Sequence, residues 1–130
     1  MRFLIIDDCP SRYDEFTKIL DRNGDSWVIT YDEDIVHLIL QNRHDCDEKM
    51  VIMLDHDMPI HDGRWWAKYL VEFTCTDTPV IITSTTGLEG VREEMLNTLT
   101  LGGIRAIMNP ADHIGCEAEW YWWSKGVCGE

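Results

Sequence analysis

Two short acidic clusters hold the residues best suited to chemistry in this chain. Asp7-Asp8 directly follows the apolar residues 3–6, and Asp55-His56-Asp57 directly follows the apolar residues 50–54. A short continuous apolar run is the pattern of a strand buried on both faces of a parallel sheet. Carboxylates placed just after such strands gather at the carboxyl edge of the sheet, where open α/β folds keep their ligand sites. Crowded there, each pair of anions repels by about 4 kcal/mol at ~4 Å and an effective dielectric of ~20. A hard divalent cation removes that cost. Mg²⁺, or Mn²⁺ in its place, fits, because such ions take one or two carboxylates and complete their shell with water and phosphate. Asp7, Asp8, Asp55 and Asp57 are therefore the candidate metal ligands of a phosphate site. His56 reads in two ways, as a general acid/base above a metal-bound phosphate or as a half-buried histidine bonding backbone.

The elements that must position these residues alternate along the chain. Residues 2–6 form a first strand. Ser11 is the expected cap of a helix over 12–22, with Tyr13, Phe16, Ile19 and Leu20 on one face and Asn23-Gly24 stopping it. Residues 26–31 form a second strand. Asp32 or Asp34 caps a second helix reaching Asn42, with Ile35, Leu38 and Ile39 inward. A third strand over 50–55 leads through the acidic loop to a helix over 63–73. A fourth strand (79–84), a fourth helix (91–99), a fifth strand (104–108) and a last helix near 117–125 complete the pattern. Five βα units predict one α/β domain over residues 1–130, a doubly wound parallel sheet of strand order 2-1-3-4-5.

Composition narrows the function. The chain has 130 residues and a formal net charge of -13, which argues against coating extended nucleic acid, since that requires a basic stripe. No apolar run approaches the ~20 residues of a membrane span, and the Met1 start carries no signal-peptide pattern, so a cytoplasmic location is expected, the host cytoplasm if the chain is phage-encoded. The five cysteines (Cys9, Cys46, Cys75, Cys116 and Cys128) are odd in number and without a CxxC pair, and are expected to be free thiols. His37, His44 and His113 have no ligand spacing, which excludes a zinc cluster. Trp120 and Trp123 share a helix face suited to packing, whereas Trp122 points the other way. Trp120, Tyr121 and Trp122 are the candidate interface residues.

With these elements in place, the chain resembles a receiver domain, the flavodoxin-like module of two-component response regulators. The likeness rests on Asp7-Asp8 after the first strand, on the spacing Asp-x-x-Met-Pro-x-x-Asp-Gly from Asp55 to Gly63, on Ser84 closing the fourth strand and on Pro110 after the fifth. It implies Asp55 as phosphoacceptor, and Mg²⁺ held by Asp8, Asp55 and the Asp57 carbonyl with Asp7 acting through water. Ser84 and Thr85 would bind phosphate. Partners would then be a phosphodonor and a protein, or a second copy, on the face of the fourth helix, fifth strand and last helix. Two positions depart from the pattern: Asn109 stands where receivers carry lysine, and Ala106 where they carry an aromatic switch residue. Asn109 is retained as a neutral phosphate-binding candidate.

Leu54-Asp55-His56-Asp57 together with Ile6-Asp7-Asp8 is also similar to the cyclic-phosphate-processing group of receiver-like domains, inferred to act on cyclic phosphate ends of RNA. That likeness implies a small phosphate ester as substrate and Asp55, His56 and Ser84 as catalytic residues, although Thr83 stands where the group carries histidine. Three functions follow: an Mg²⁺-dependent domain binding or processing phosphate ends, a single-domain response regulator phosphorylated on Asp55, or a non-catalytic interaction module such as a phage inhibitor of a host protein.

Overall fold

Alternation along the central strands divides the core into two layers. In a computed structural model describing residues 1–42, 49–74, 77–109 and 119–129, β1 (Arg2–Ile6) and β3 (Met50–Leu54) are almost wholly buried. Leu4, Ile6, Met50, Ile52 and Leu54 face one layer, while Phe3, Ile5, Val51 and Met53 face the other. This is the two-residue period of a strand expressed across a sheet covered on both sides.

The remaining elements follow from that division. β2 (Ser26–Thr30), β4 (Val80–Ile82) and β5 (Ala106–Met108) complete a parallel sheet of order β2-β1-β3-β4-β5. α1 (Asp14–Arg22) and α5 (Glu119–Cys128) supply Phe16, Leu20, Trp120 and Tyr121 to the Phe3 layer. There Phe16 stacks on Trp120 with ring centroids 3.9 Å apart. α2 (Glu33–Asn42), α3 (Gly63–Phe73) and α4 (Val91–Leu101) supply Val36, Leu40, Trp66, Leu70, Met95 and Leu99 to the Leu4 layer. The expected strand order is the observed one.

Several local expectations are corrected. Ser11 does not cap the first helix. Pro10 opens a 3-10 turn, Pro10–Tyr13, one residue earlier, and the N–H of Cys9 is taken by Asp7 Oδ1 at 3.0 Å. A proline at the first helical position has its φ preset and no N–H to satisfy, so no cap from Ser11 is required. Asp32 rather than Asp34 caps α2, its Oδ1 accepting from the N–H groups of Asp34 and Ile35. Ile35 and Leu38 face outward, and Val36 and Leu40 are the buried pair. A helix with apolar residues on both sides leaves its phase undetermined by periodicity alone. Trp120 and Tyr121 are core residues, 1% and 2% exposed, packed against Phe3; of the three candidate interface aromatics only Trp122 is exposed. Cys9 is a free thiol. Cys46, Cys75, Cys116, His44, His113 and Pro110 lie outside the described residues. Among the described residues no helix is long and apolar enough to cross a membrane.

Gly63 fixes how closely α3 approaches the sheet. A Cβ there would lie 2.5 Å from the Asp55 carbonyl oxygen, 2.6 Å from Met95 Cε and 2.7 Å from His56 Cα. Asp62 caps the same helix, its Oδ1 accepting from the Trp65 N–H at 3.0 Å. Gly63→Ala is therefore expected to destabilise by about 1–3 kcal/mol through overpacking. Gly126→Ala, in α5 with nothing within 4 Å, should instead stabilise by roughly 0.5–1 kcal/mol. Urea midpoints of the two variants check the opposite signs.

Candidate metal and phosphate site

Strand register assembles the site. Ile6 pairs with Leu54, Leu54 with Ile82, and Ile82 with Met108. The ladder continues one residue beyond each pair, through Asp55 N–H to Ile6 O, Thr83 N–H to Leu54 O and Asn109 N–H to Ile82 O. Asp7, Asp55, Thr83 and Asn109 thus form a row across the carboxyl edge. By strand alternation the row continues the Phe3 layer, the side on which the Pro10–Tyr13 turn and α1 lie.

The turn reaches into that row. The Tyr13 hydroxyl donates to Asp7 Oδ2 at 2.8 Å and accepts from the Thr83 hydroxyl at 2.8 Å. Arg12 Nη1 lies 3.2 Å from Asp7 Oδ2 and 3.2 Å from Asp55 Oδ1, and Nη2 donates to Thr85 Oγ1 at 3.4 Å. The Arg12–Asp55 contact has ion-pair distance without hydrogen-bond alignment. Among the described residues, both oxygens of Asp55, itself 1% exposed, therefore lack a hydrogen-bond donor.

Electrostatics follow from this burial. Burial, then the neighbouring Asp55 carboxylate, push the Asp7 pKa up to about 6, against the bonds from Tyr13 and Cys9 and the charge of Arg12. Burial followed by the Asp7 charge likewise holds the Tyr13 phenol above its ordinary range. Burial lowers the Arg12 pKa, but the Asp55 and Asp7 carboxylates more than offset that and leave it raised.

One carboxylate oxygen each from Asp7, Asp8 and Asp55 lie within 4.8 Å of one another. Opposite ligands of an octahedral Mg²⁺ stand about 4.1 Å apart, so the three need little adjustment to enclose one ion. Hard oxygen donors and a buried carboxylate without hydrogen-bond donors are the chemistry such a cation requires. The residues fit Mg²⁺. Asp57 has an exposed side chain and lies outside this cluster, near His56, with Nε2 to Oδ1 at 4.0 Å.

The other expected site residues are near but differently engaged. Ser84 is buried and its Oγ accepts the Thr86 N–H at 3.1 Å; the hydroxyl in the row is that of Thr83. Thr85 is exposed and bonded to Arg12. The Asn109 Nδ2 and His56 Nδ1 atoms are buried without a hydrogen-bond partner among the described residues. Beside β1 a cleft of about 540 Å³ reaches Asp7 and Asp8 and is bordered by Thr30, Tyr31, Asp32 and His61. It does not touch Asp55. Arg12, Tyr13 and Thr83 were not singled out by sequence as site residues. Their signal was register: Thr83 has the parity of Asp55, and the turn after Asp8 lies over that same layer.

This sheet order is found in known structures. A two-component response regulator from Clostridium difficile superposes with a TM-score of 0.67 at 18% identity, covering 100% of this chain and 97% of that one. The fold is that of a receiver domain. The response regulator domain of Thermotoga maritima CheB matches the receiver fold seen here with a TM-score of 0.65 at 19% identity, over 100% and 97% of the two chains. A chain of the CheX–CheY–BeF₃–Mg²⁺ complex from Borrelia burgdorferi gives 0.66 at 23% identity over 98% and 88%. No protein-family model matches the chain, and no curated protein matches it by sequence.

The raised Asp7 pKa has a sign that can be tested. Between 3.8 and about 6 the native state binds the Asp7 proton more tightly than the unfolded state, so this residue's contribution to stability falls as pH rises through that window. Without added metal, Asp7→Asn should therefore match the parent below pH 3.8 and exceed it above pH 6, by up to about 3 kcal/mol. Urea denaturation in chelator at several pH values provides the measurement.

Proposed function

We propose that this edge binds Mg²⁺ and, against Asp55, a phosphoryl group. The observation supporting this is the buried Asp55 carboxylate, both oxygens without hydrogen-bond donors, beside Asp7 and Asp8. An ionised carboxylate so placed is costly unless a cation completes it. Asp7, Asp8 and Asp55 would hold the metal, which supplies charge neutralisation for a phosphoryl group. The chain supplies the rest. Asp55 offers a carboxylate oxygen as nucleophile: an O–P bond forms there as the bond to the donor's leaving group breaks. Asn109 Nδ2, an idle buried donor in the row, is placed to donate to a phosphoryl oxygen, and the Thr83 and Thr85 hydroxyls border the same edge. Response regulators among the structural neighbours support phosphoacceptance by Asp55, and the CheX–CheY complex and a receiver dimer among them support a protein partner or a second copy on the α4–β5–α5 face.

Millimolar Mg²⁺ is expected to raise the melting temperature relative to chelator at matched ionic strength, in proportion to ln(1 + [L]/Kd), and Asp55→Asn should remove most of the rise. Equal melting curves would overturn the metal site. Acetyl phosphate should label Asp55 slowly, because Asn109 offers a dipole where an ammonium would offer a charge. Asn109→Lys should speed labelling by about tenfold or more, read as a phosphoryl adduct by mass spectrometry.

A second reading is favoured by His56, which directly follows Asp55 in the chain and whose Nδ1 is buried without a hydrogen-bond partner among the described residues. In it the edge binds a phosphate ester end, such as a nucleoside 2′,3′-cyclic phosphate, and His56 moves a proton during ring opening. Chromatography of the cyclic nucleotide after incubation with Mg²⁺ and protein separates the readings. Turnover that His56→Ala slows more than it weakens binding supports ester processing, and an intact ring leaves phosphoacceptance by Asp55.

A further inference from the structure

We propose that Arg12 is the phosphoryl-binding cation of this edge, held in reserve on the carboxylate pair and released to the phosphoryl group when a divalent ion takes its place. The inference rests on the Mg²⁺–phosphoryl reading above and names the residue that supplies the missing positive charge.

Three observations converge on it. Arg12 Nη1 is shared between Asp7 Oδ2 and Asp55 Oδ1, each at 3.2 Å, while Nη2 extends to Thr85 Oγ1 at 3.4 Å. The guanidinium therefore spans from the acidic pair to the loop after β4, the two sides between which a group on Asp55 would stand. Second, the row offers no cation of its own: its β5 member is the neutral Asn109. Among the described residues no other basic side chain is ion-paired with Asp7 or Asp55, and Arg64 is engaged with Asp62 and Glu94. Third, Arg12 reaches the carboxylates from the rim of the site rather than from within it. Its bond to Thr85 is long and its side chain is 27% exposed, on a 3-10 turn at the site's rim.

Competition follows from charge. A divalent ion enclosed by Asp7, Asp8 and Asp55 needs the oxygens that Arg12 neutralises, and two cations at one carboxylate pair repel. The long, flexible arginine is the group free to move. Its planar fork then matches two phosphoryl oxygens, a geometry that a tetrahedral phosphoryl presents and a lone metal does not. Metal and phosphoryl thus affect Arg12 in opposite senses: it competes with the first and assists the second.

Opposite signs make the test specific. Calorimetry would measure Mg²⁺ alone, then beryllofluoride at saturating Mg²⁺, on the parent, Arg12→Gln and Arg12→Lys. Arg12→Gln should bind Mg²⁺ about tenfold more tightly and beryllofluoride about tenfold more weakly. Arg12→Lys, which keeps the charge but loses the fork, should leave Mg²⁺ affinity near the parent's and weaken beryllofluoride severalfold. A merely structural role would weaken both ligands together; that result, or no change in either, overturns the proposal while the metal site stands. If Arg12→Gln does not fold, Arg12→Lys decides alone: unchanged beryllofluoride affinity overturns the proposal. A parent that binds no Mg²⁺ overturns the metal site and this inference with it.

Discussion

Two carboxylates, Asp7 and Asp55, stand side by side at the end of adjacent buried strands, each 1% exposed, and their repulsion governs what surrounds them. Neither can turn to water. Among the described residues, relief comes to Asp7 from Tyr13, the Cys9 amide and Arg12, and to Asp55 only from the ion-pair contact of Arg12. Asp7 is consequently pushed up to about 6, and Asp55 keeps two oxygens without hydrogen-bond donors. The first turn after β1 is shaped by the same constraint, since the Pro10–Tyr13 segment delivers a phenol and a guanidinium to the pair.

Much of this was legible in the sequence because it rests on patterns with a strong physical cause. Buried parallel strands must be apolar throughout, so β1 is legible to the residue and β3 to within one, with Asp55 following the strand rather than ending it. The alternation of short strands and amphipathic segments constrained the sheet order. Less legible were features set by tertiary contact. Ile35 and Leu38 are as apolar as Val36 and Leu40, and only docking against the sheet chooses which pair is buried. Ser11 is a good capping residue by type, yet Pro10 and the Asp7 carboxylate had already determined the start of the turn. Motif spacing points to Ser84, whereas parity along β4 places Thr83 beside Asp55.

The loop between β3 and α3 stores a different constraint. Ile60 adopts φ 70°, a left-handed conformation that a β-branched residue rarely takes, and costs on the order of 1–3 kcal/mol there. Its side chain is 86% exposed, so packing does not compensate it. The loop is held instead at its ends, by Met58 and Gly63 N–H groups donating to the His56 carbonyl and by the stack of His61 on Trp65 at 3.5 Å. Backbone geometry after Asp55 is thereby defined without involving the Asp55 carboxylate oxygens.

Parity along the strands makes the edge vulnerable to one kind of genetic change in particular. Inserting or deleting a single residue within β1 or β3 would leave hydrophobicity, length and strand propensity nearly untouched. It would nevertheless transfer that strand's terminal carboxylate to the opposite helical layer, away from Tyr13 and Arg12. Divergence of this chain should therefore tolerate exchanges among Val, Ile, Leu and Met in these strands far more readily than any change in their length, with loops absorbing the indels.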